Sequence, residues 1–368
     1  MGVQSFSMQR TRLQQGVLKG RGALSNPAGR FDLSQLSAVD DGWYREEEPA
    51  NIVATVEPDR AKSVITSNDS PDVGFDVSIN PYRGCEHGCI YCFARPSHAY
   101  MGLSPGIDFE TRLFYKADAA KILEGQLARR GYVCKPIALG INTDAYQPLE
   151  RKMLVTRSIL EVLARCRHPV SIITKSALVV RDIDLLADMA KDHLVNVMFS
   201  VTTLDAEVKR TLEPRTASPL ARLRAMRQLA DANIPVGVMV APVIPAITDH
   251  EMESIVEAAA AAGARGASYV LLRLPYEVKH LFREWLEQHY PDRARHVMSL
   301  INDLRGGRDN DPNFGTRMTG TGPFAELIRN RFVLARRKAG LEGSRSPGLA
   351  TGLFRPPGTA TPQMTLDF

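Results

Sequence analysis

The chain has 368 residues, 44% hydrophobic and 24% charged, with 46 Lys plus Arg against 41 Asp plus Glu and a net charge of +5. That length exceeds the roughly 100–200 residues of a default single core, so it asks for one large α/β domain or two smaller ones. No run approaches the ~18–20 apolar residues of a membrane-spanning helix, so the chain reads as a soluble protein, and the small positive excess permits an anionic partner without requiring one.

Residues 1–20 carry basic side chains but no apolar stretch leading to a small-residue cleavage site, so a secretory signal is not expected and the cytoplasm is the predicted address. Up to about Asn68 the sequence is polar and turn-rich, as in Arg21-Gly22-Ala23-Leu24-Ser25-Asn26-Pro27, and residues 1–70 read as a partly irregular extension over a catalytic domain.

From residue 71 to 275 short apolar, β-branched runs alternate with helical patterns. The spacing predicts strands over Phe75–Ile79, Ile137–Ile141, Val170–Thr174, Asn196–Thr202, Pro235–Pro242 and Ala267–Leu274. Helices are predicted over Ala117–Arg130, Met153–Arg167, Asp182–Lys191, Pro219–Ala232 and His250–Ala262. Strict alternation of strand and helix implies parallel strands with right-handed crossovers, closed as a barrel or open as a sheet, with functional groups at the carboxyl ends of the strands. Beyond Leu274, helices over Lys279–His289, Arg293–Leu304 and a basic helix from Pro323 to Lys338 make residues 276–340 a C-terminal helical extension. Residues 341–368, rich in Gly, Pro, Ser and Thr, read as a disordered tail.

Five cysteines are an odd number, and three fall within the eight residues Cys85–Cys92, which suits metal ligation in a reducing compartment better than a disulfide framework. The segment Asn80-Pro81-Tyr82-Arg83-Gly84-Cys85-Glu86-His87-Gly88-Cys89-Ile90-Tyr91-Cys92 follows the first predicted strand and spaces its thiols C-x3-C-x2-C. Soft thiolates favour iron–sulfur or zinc. A structural zinc wants four closed ligands, which His87 or His98 would have to complete, whereas three cysteines leave one iron of a cluster open for chemistry.

This spacing, after the first strand of a six-fold β/α alternation and with an aromatic residue at Tyr91, resembles the radical S-adenosylmethionine (SAM) superfamily. The loop NPYRGCEHGCIYCFARPSH, together with Tyr146–Glu150 and Thr174–Ser176, resembles an uncharacterised group in its spore photoproduct lyase-like branch. The resemblance implies a partial (β/α)6 TIM-like barrel and a 4Fe–4S cluster on Cys85, Cys89 and Cys92. It also implies SAM chelated to the open iron, an electron donor such as a flavodoxin or ferredoxin, and reductive cleavage of SAM to a 5′-deoxyadenosyl radical that abstracts hydrogen. Tyr91 would pack near the SAM adenine.

Within that frame, strand-end polar residues are the candidates to meet the amino-acid end and ribose of SAM. After the second strand stand Asn142 and Asp144, which serve equally well as an Asx turn. Lys175 ends the third strand as a cation for a carboxylate, Ser200 and Thr202 share one face of the fourth, and Arg215 follows it as a clamp for a carboxylate or phosphate. The substrate is open. Nucleic acid is one candidate, through the lyase-like branch and the basic run Arg329–Lys338, and Phe93–Tyr100 is a candidate mouth. Direct transfer of the lyase activity is weakened because that enzyme donates hydrogen from a cysteine near its active site. This chain has no Cys after Cys166, and neither Cys134 nor Cys166 falls at a carboxyl strand end. The alternative of another class is a non-catalytic iron–sulfur protein that senses redox state or binds a partner.

Overall fold

Val170–Thr174 has the alternation of a strand packed on both faces, with Val170, Ile172 and Thr174 buried and Ser171 and Ile173 half-buried. It lies at the centre of the larger of two sheets in a computed structural model that describes residues 20–31, 53–342 and 348–358.

In chain order the strands are β1 (Thr55–Pro58), β2 (Ile65–Ser67), β3 (Val77–Ile79), β4 (Tyr82–Arg83) and β5 (Arg112–Tyr115). They continue with β6 (Ile137–Leu139), β7 (Val170–Thr174), β8 (Val195–Ser200), β9 (Val236–Val243) and β10 (Ala267–Leu271). The larger sheet runs β10-β9-β8-β7-β6-β3-β2, and every pair in it is parallel except β2 with β3. The six strands expected from the sequence are therefore the six parallel ones, laid side by side in chain order. Each crossover steps in the same direction, which curls a sheet towards a barrel. Among the described residues β10 and β2 do not pair, so the barrel stays open and partial.

Helices cover the sheet through apolar stripes. Val155–Arg165 buries Val155, Ile159, Leu160, Val162 and Leu163 at helical spacing. The predicted start at Met153 moves because Leu154 sits at φ 54°, in the left-handed region, and breaks the segment into Glu150–Met153 and Val155–Arg165. The Glu150 carboxylate then caps the second piece, accepting from the amides of Thr156 (2.9 Å) and Arg157 (3.3 Å). Pro219–Asp231 starts where Ser218 accepts from the Ala221 amide at 3.2 Å and Pro219 presets the first turn. The short helix Ala206–Leu212, capped by Asp205, is not apparent in the sequence periodicity.

Two stretches depart from the sequence expectation, residues 53–67 and 348–358, while residues 20–31 lie over the domain as an extension would. Residues 53–67 of the supposed extension supply β1 and β2, and β1 joins β5 and β4 in the second, three-stranded sheet. Residues 20–31 lie along the cysteine loop and the helix Val278–His289. In the expected tail, residues 348–358 pack on the body. Arg355 donates its amide to the Cys166 carbonyl at 2.8 Å, and the Phe354 ring sits 5.3 Å from those of Tyr132 and His168, an apolar anchor that the surrounding Gly and Pro disguise. Residues 1–19, 32–52, 343–347 and 359–368 lie outside the described residues.

Two cores result. The larger lies between the parallel sheet and its helices. The smaller joins Ala23, Cys89, Ile90 and Tyr91 to Leu212, Ile244, Leu274 and the Phe282–Trp285 face of Val278–His289, so the cysteine loop is built into the core and not hung from it.

Candidate active site at the carboxyl edge of the sheet

The cysteine loop leaves the small sheet at β4 and is pinned at each turn. Cys85 donates its amide to Phe109 O (2.9 Å), Ile90 to Leu212 O (3.1 Å) and Cys92 to Cys89 O (3.2 Å). Gln147 bridges it, accepting from the Glu86 amide (2.9 Å) and donating to Gly84 O (3.2 Å). At Gly88 the backbone takes φ 67°, and a Cβ there would lie 2.8 Å from Glu110 Oε2, so only glycine fits. Cys85 and Cys89 are buried and Cys92 half-buried, and burial pushes all three thiols up. Thiols held protonated in this way give up protons when they take a metal.

Facing the loop is a polar network from the ends of β7, β8 and β9. The Tyr91 hydroxyl donates to Glu213 Oε1 and lies 3.2 Å from the Thr202 hydroxyl. Thr202 Oγ1 is 2.7 Å from Glu213 Oε1 and 2.9 Å from the Ala241 carbonyl. Ser200 Oγ donates to the same carbonyl at 2.9 Å, and Lys175 Nζ reaches both Ser200 Oγ and, at 3.1 Å, Ala241 O. The ammonium stands 3.5 Å from Glu213 and 5.7 Å from the Tyr91 ring centre. Arg222, fully buried, closes the network by pairing with Glu213 Oε2 and donating to Ser200 O at 2.7 Å. Burial opposes ionisation of Glu213, but the Arg222 guanidinium and Lys175 ammonium outweigh it and hold the carboxyl far below the usual range. Burial, with Cys89 and Glu213 beside it, pushes the Tyr91 phenol up, so it stays a donor.

The structure thus gathers Tyr91, Lys175, Ser200 and Thr202 around one carboxylate. Asp144 lies beside them, accepting from the amides of Lys175 (2.7 Å) and Tyr146 (2.8 Å) and from Thr174 Oγ1 (2.8 Å), which is the Asx-turn geometry. Asn142 is exposed, and its amide donates to Asn80 Oδ1 at 2.8 Å. Arg215 pairs with Glu86 at 3.0 Å and donates its amide to His87 O at 3.2 Å, so it braces the cysteine loop from the far side. Glu213, Arg222 and the Ala241 carbonyl escape sequence reasoning. Glu213 neighbours the chosen Arg215 with nothing in its type to set it apart, Arg222 reads as a helix surface cation, and a carbonyl has no side-chain signature.

His87 and His98, one of which a structural zinc would need as its fourth ligand, each meet another polar group. The His87 ring, lowered to about 4 by burial despite Asp144, puts Nδ1 3.4 Å from Asp144 Oδ2, and His98 Nε2 bonds Arg112 O at 3.0 Å. Among the described residues no three His, Cys, Asp or Glu side chains close on a single ion. Cys134 and Cys166 precede β6 and β7, at the opposite edge of the sheet. In the candidate mouth Arg95 and His98 are buried while Phe93 and Tyr100 are exposed. The basic run is partly committed internally, with Arg331 on Glu253 (2.7 and 2.8 Å) and Arg337 on Glu342 (3.1 Å).

Three soft thiols on one buried loop, with no fourth cysteine at this edge, fit a cluster that keeps one iron open, and the adjoining cation, hydroxyls and aromatic fit a charged nucleoside-like cofactor. An open parallel α/β sheet with such a loop at its carboxyl edge defines the class of enzymes that join an iron–sulfur cluster to SAM. The family model described as the radical SAM superfamily matches residues 79–259, and the chain belongs to that superfamily. An uncharacterised protein of Mycobacterium tuberculosis is 38% identical over 275 residues, covering 74% of this chain and 77% of its own length. Another from Methanocaldococcus jannaschii is 27% identical over 256 residues, 67% of this chain and 92% of its own. The fold is shared with spore photoproduct lyase, at 17% identity and a TM-score of 0.53 over 78% of this chain and 79% of that one. Among the described residues no helix is long and apolar enough to cross a membrane.

Proposed function

We propose that the protein is a radical SAM enzyme in which Cys85, Cys89 and Cys92 hold a 4Fe–4S cluster and the network around Glu213 receives SAM. A cluster held there would supply, when reduced, the electron for reductive cleavage of SAM and so the means of taking hydrogen from a substrate. The observation that carries this reading is the meeting of the three-cysteine loop with Tyr91, Lys175, Ser200 and Thr202 at the carboxyl edge of a parallel sheet, where such folds act.

The residues divide the work by chemistry. Lys175 offers a cation to the SAM carboxylate, Ser200 and Thr202 offer hydroxyls to its ammonium or ribose, and Tyr91 gives an aromatic face to the adenine. Glu213 and Arg222 lie beneath and fix these groups in place. Asp144, with three donors already on its carboxylate, serves the turn. The free cysteines suit a cytoplasmic address with a flavodoxin or ferredoxin as electron donor. A spore photoproduct lyase has been seen with AdoMet and a dinucleoside photoproduct, which keeps nucleic acid among the substrate classes here; the paired arginines of the basic helix give it no added support.

Anaerobic reconstitution with iron and sulfide, followed by reduction with SAM present, tests the reading. Release of 5′-deoxyadenosine, lost in Cys89→Ala, is expected. A cluster without cleavage would favour a redox-sensing or partner-binding protein, and zinc in anaerobically purified protein would overturn the cluster.

A further inference from the structure

We propose that the buried Arg95–Glu110 pair, closed from outside by the backbone of Gly22 and Ala23, is the device that positions the cysteine loop before any cluster is present. The proposal rests on the reading that these cysteines hold a cluster, and it concerns residues that supply no thiol and make no hydrogen bond to Glu213, although the Arg95 amide and guanidinium lie beside Cys92 and Ala23 packs with Cys89 and Tyr91.

Arg95 lies in the short helical segment just after Cys92 and is fully buried. Its guanidinium has five N–H donors in a rigid fork, and five acceptors surround it. Nε donates to Cys89 O (2.9 Å), Nη1 to Pro105 O (3.1 Å) and Gly106 O (2.8 Å), and Nη2 to Gly88 O (3.2 Å) and Glu110 Oε1 (2.5 Å). One side chain thus ties two carbonyls of the cysteine loop to two carbonyls of the chain returning beneath it. Glu110, also fully buried, neutralises the charge and still has lone pairs to fill. The amides of Ala23 (2.9 Å to Oε1) and Gly22 (3.0 Å to Oε2) fill them.

Those two amides belong to a strap over residues 20–31. Ser25 O accepts from the Ile107 amide at 3.2 Å, Asn26 exchanges two hydrogen bonds with Asp108 (2.9 and 3.0 Å), and Ser25 Oγ donates to Glu284 at 2.6 Å. Gly22 is the tightest point, since a Cβ built there would overlap the Gly88 carbonyl oxygen. The strap therefore seats on the loop only with glycine at 22. Three thiolates brought together repel, and a loop that must also be ordered at that moment binds more weakly than one already in place. Arg95, Glu110 and the strap are positioning groups and take no part in chemistry.

The test compares wild type with Glu110→Gln and Gly22→Ala. The second keeps both members of the ion pair and acts where the strap meets the Gly88 carbonyl of the loop, so it carries the test if Glu110→Gln does not fold. In cluster-free full-length protein, hydrogen exchange of the amides of residues 88–92 and alkylation of Cys85, Cys89 and Cys92 should quicken about 10-fold in Gly22→Ala and more in Glu110→Gln. Exchange in β7–β9 and alkylation of Cys134 and Cys166 should not change. After reconstitution, the electron paramagnetic resonance signal of the reduced cluster should broaden or shift in both variants. Loop exchange like that of wild type, or a rise shared by β7–β9 and Cys166, would make the pair an ordinary structural ion pair and overturn the proposal, as would an unaltered cluster signal. A loosened loop in a protein whose wild type takes up no iron would leave the positioning role standing and remove the cluster.

Discussion

Tyr91 and Glu213 are 122 positions apart and meet in a hydrogen bond with both side chains buried. The contact joins the aromatic of the cysteine loop to the carboxylate on which Arg222, Lys175 and Thr202 also converge. Because Arg222 is as buried as its partner, Glu213→Gln strands a guanidinium in the core, and folding stability should fall by about 3–5 kcal/mol in urea unfolding. Tyr91→Phe removes one donor from a carboxylate that keeps the others, and about 1–2 kcal/mol is expected. Equal losses in the two variants would mean that Arg222 finds another partner.

Lys175 is the cation of this network with part of its side chain open to solvent, and it reaches Cys89 and Cys92 through its charge while its hydrogen bonds go to Ser200 and Ala241. Lys175→Met should keep wild-type iron and sulfide content while weakening SAM binding about 10–100-fold, the loss of one charge-assisted hydrogen bond. Equilibrium binding of SAM to reconstituted protein measures this, and unchanged affinity would remove Lys175 from the cofactor site.

The parallel strands were legible in the sequence because burial on both faces writes a continuous apolar run, as in Val236–Val243, and the cysteine loop because its spacing is rare. The carboxylate centre was not. Glu213 and Arg222 belong to a loop and a helix whose sequence separation says nothing of their meeting, and the Ala241 carbonyl that receives Ser200, Thr202 and Lys175 belongs to a strand that reads as plain core. Phe354 was hidden in the same way, a lone aromatic in a Gly- and Pro-rich tail, and β2 is three residues at an edge, too short to show a period.

Asn142 and Asp144 are alike as strand-end candidates in sequence and unlike in the structure. Asp144→Ala removes the acceptor of three hydrogen bonds, including the Lys175 amide, and should cost about 2–4 kcal/mol while displacing Lys175. Asn142→Ala removes an exposed side chain and should stay within ~0.5 kcal/mol, with SAM affinity unaltered. A matched pair of denaturation and SAM-binding curves separates them, and a binding defect in Asn142→Ala with normal stability would return that residue to the cofactor site.

His168 gives the fold an acid limit away from the site. Its ring is buried against Phe354, Nδ1 donates to Pro169 O at 3.0 Å, and Nε2 accepts from the Tyr132 hydroxyl at 2.8 Å, which fixes the neutral tautomer. Burial lowers it from 6.5 to about 4, against the opposing pull of the Pro169 carbonyl. The unfolded chain takes up the proton near 6.5 and the folded one only near 4, so the unfolded state binds more protons between those values. The stability this ring contributes is complete above about pH 6.5 and is lost as pH falls towards 4, by up to ~3 kcal/mol. His87 and His98 are lowered to about 4 as well and add their own share, so the measurement is the difference between wild type and His168→Phe in unfolding free energy from pH 7 to pH 4. The variant should lose less stability than wild type over that range. Parallel curves would mean that the ring is protonated in the folded protein and that the Tyr132 contact is made differently.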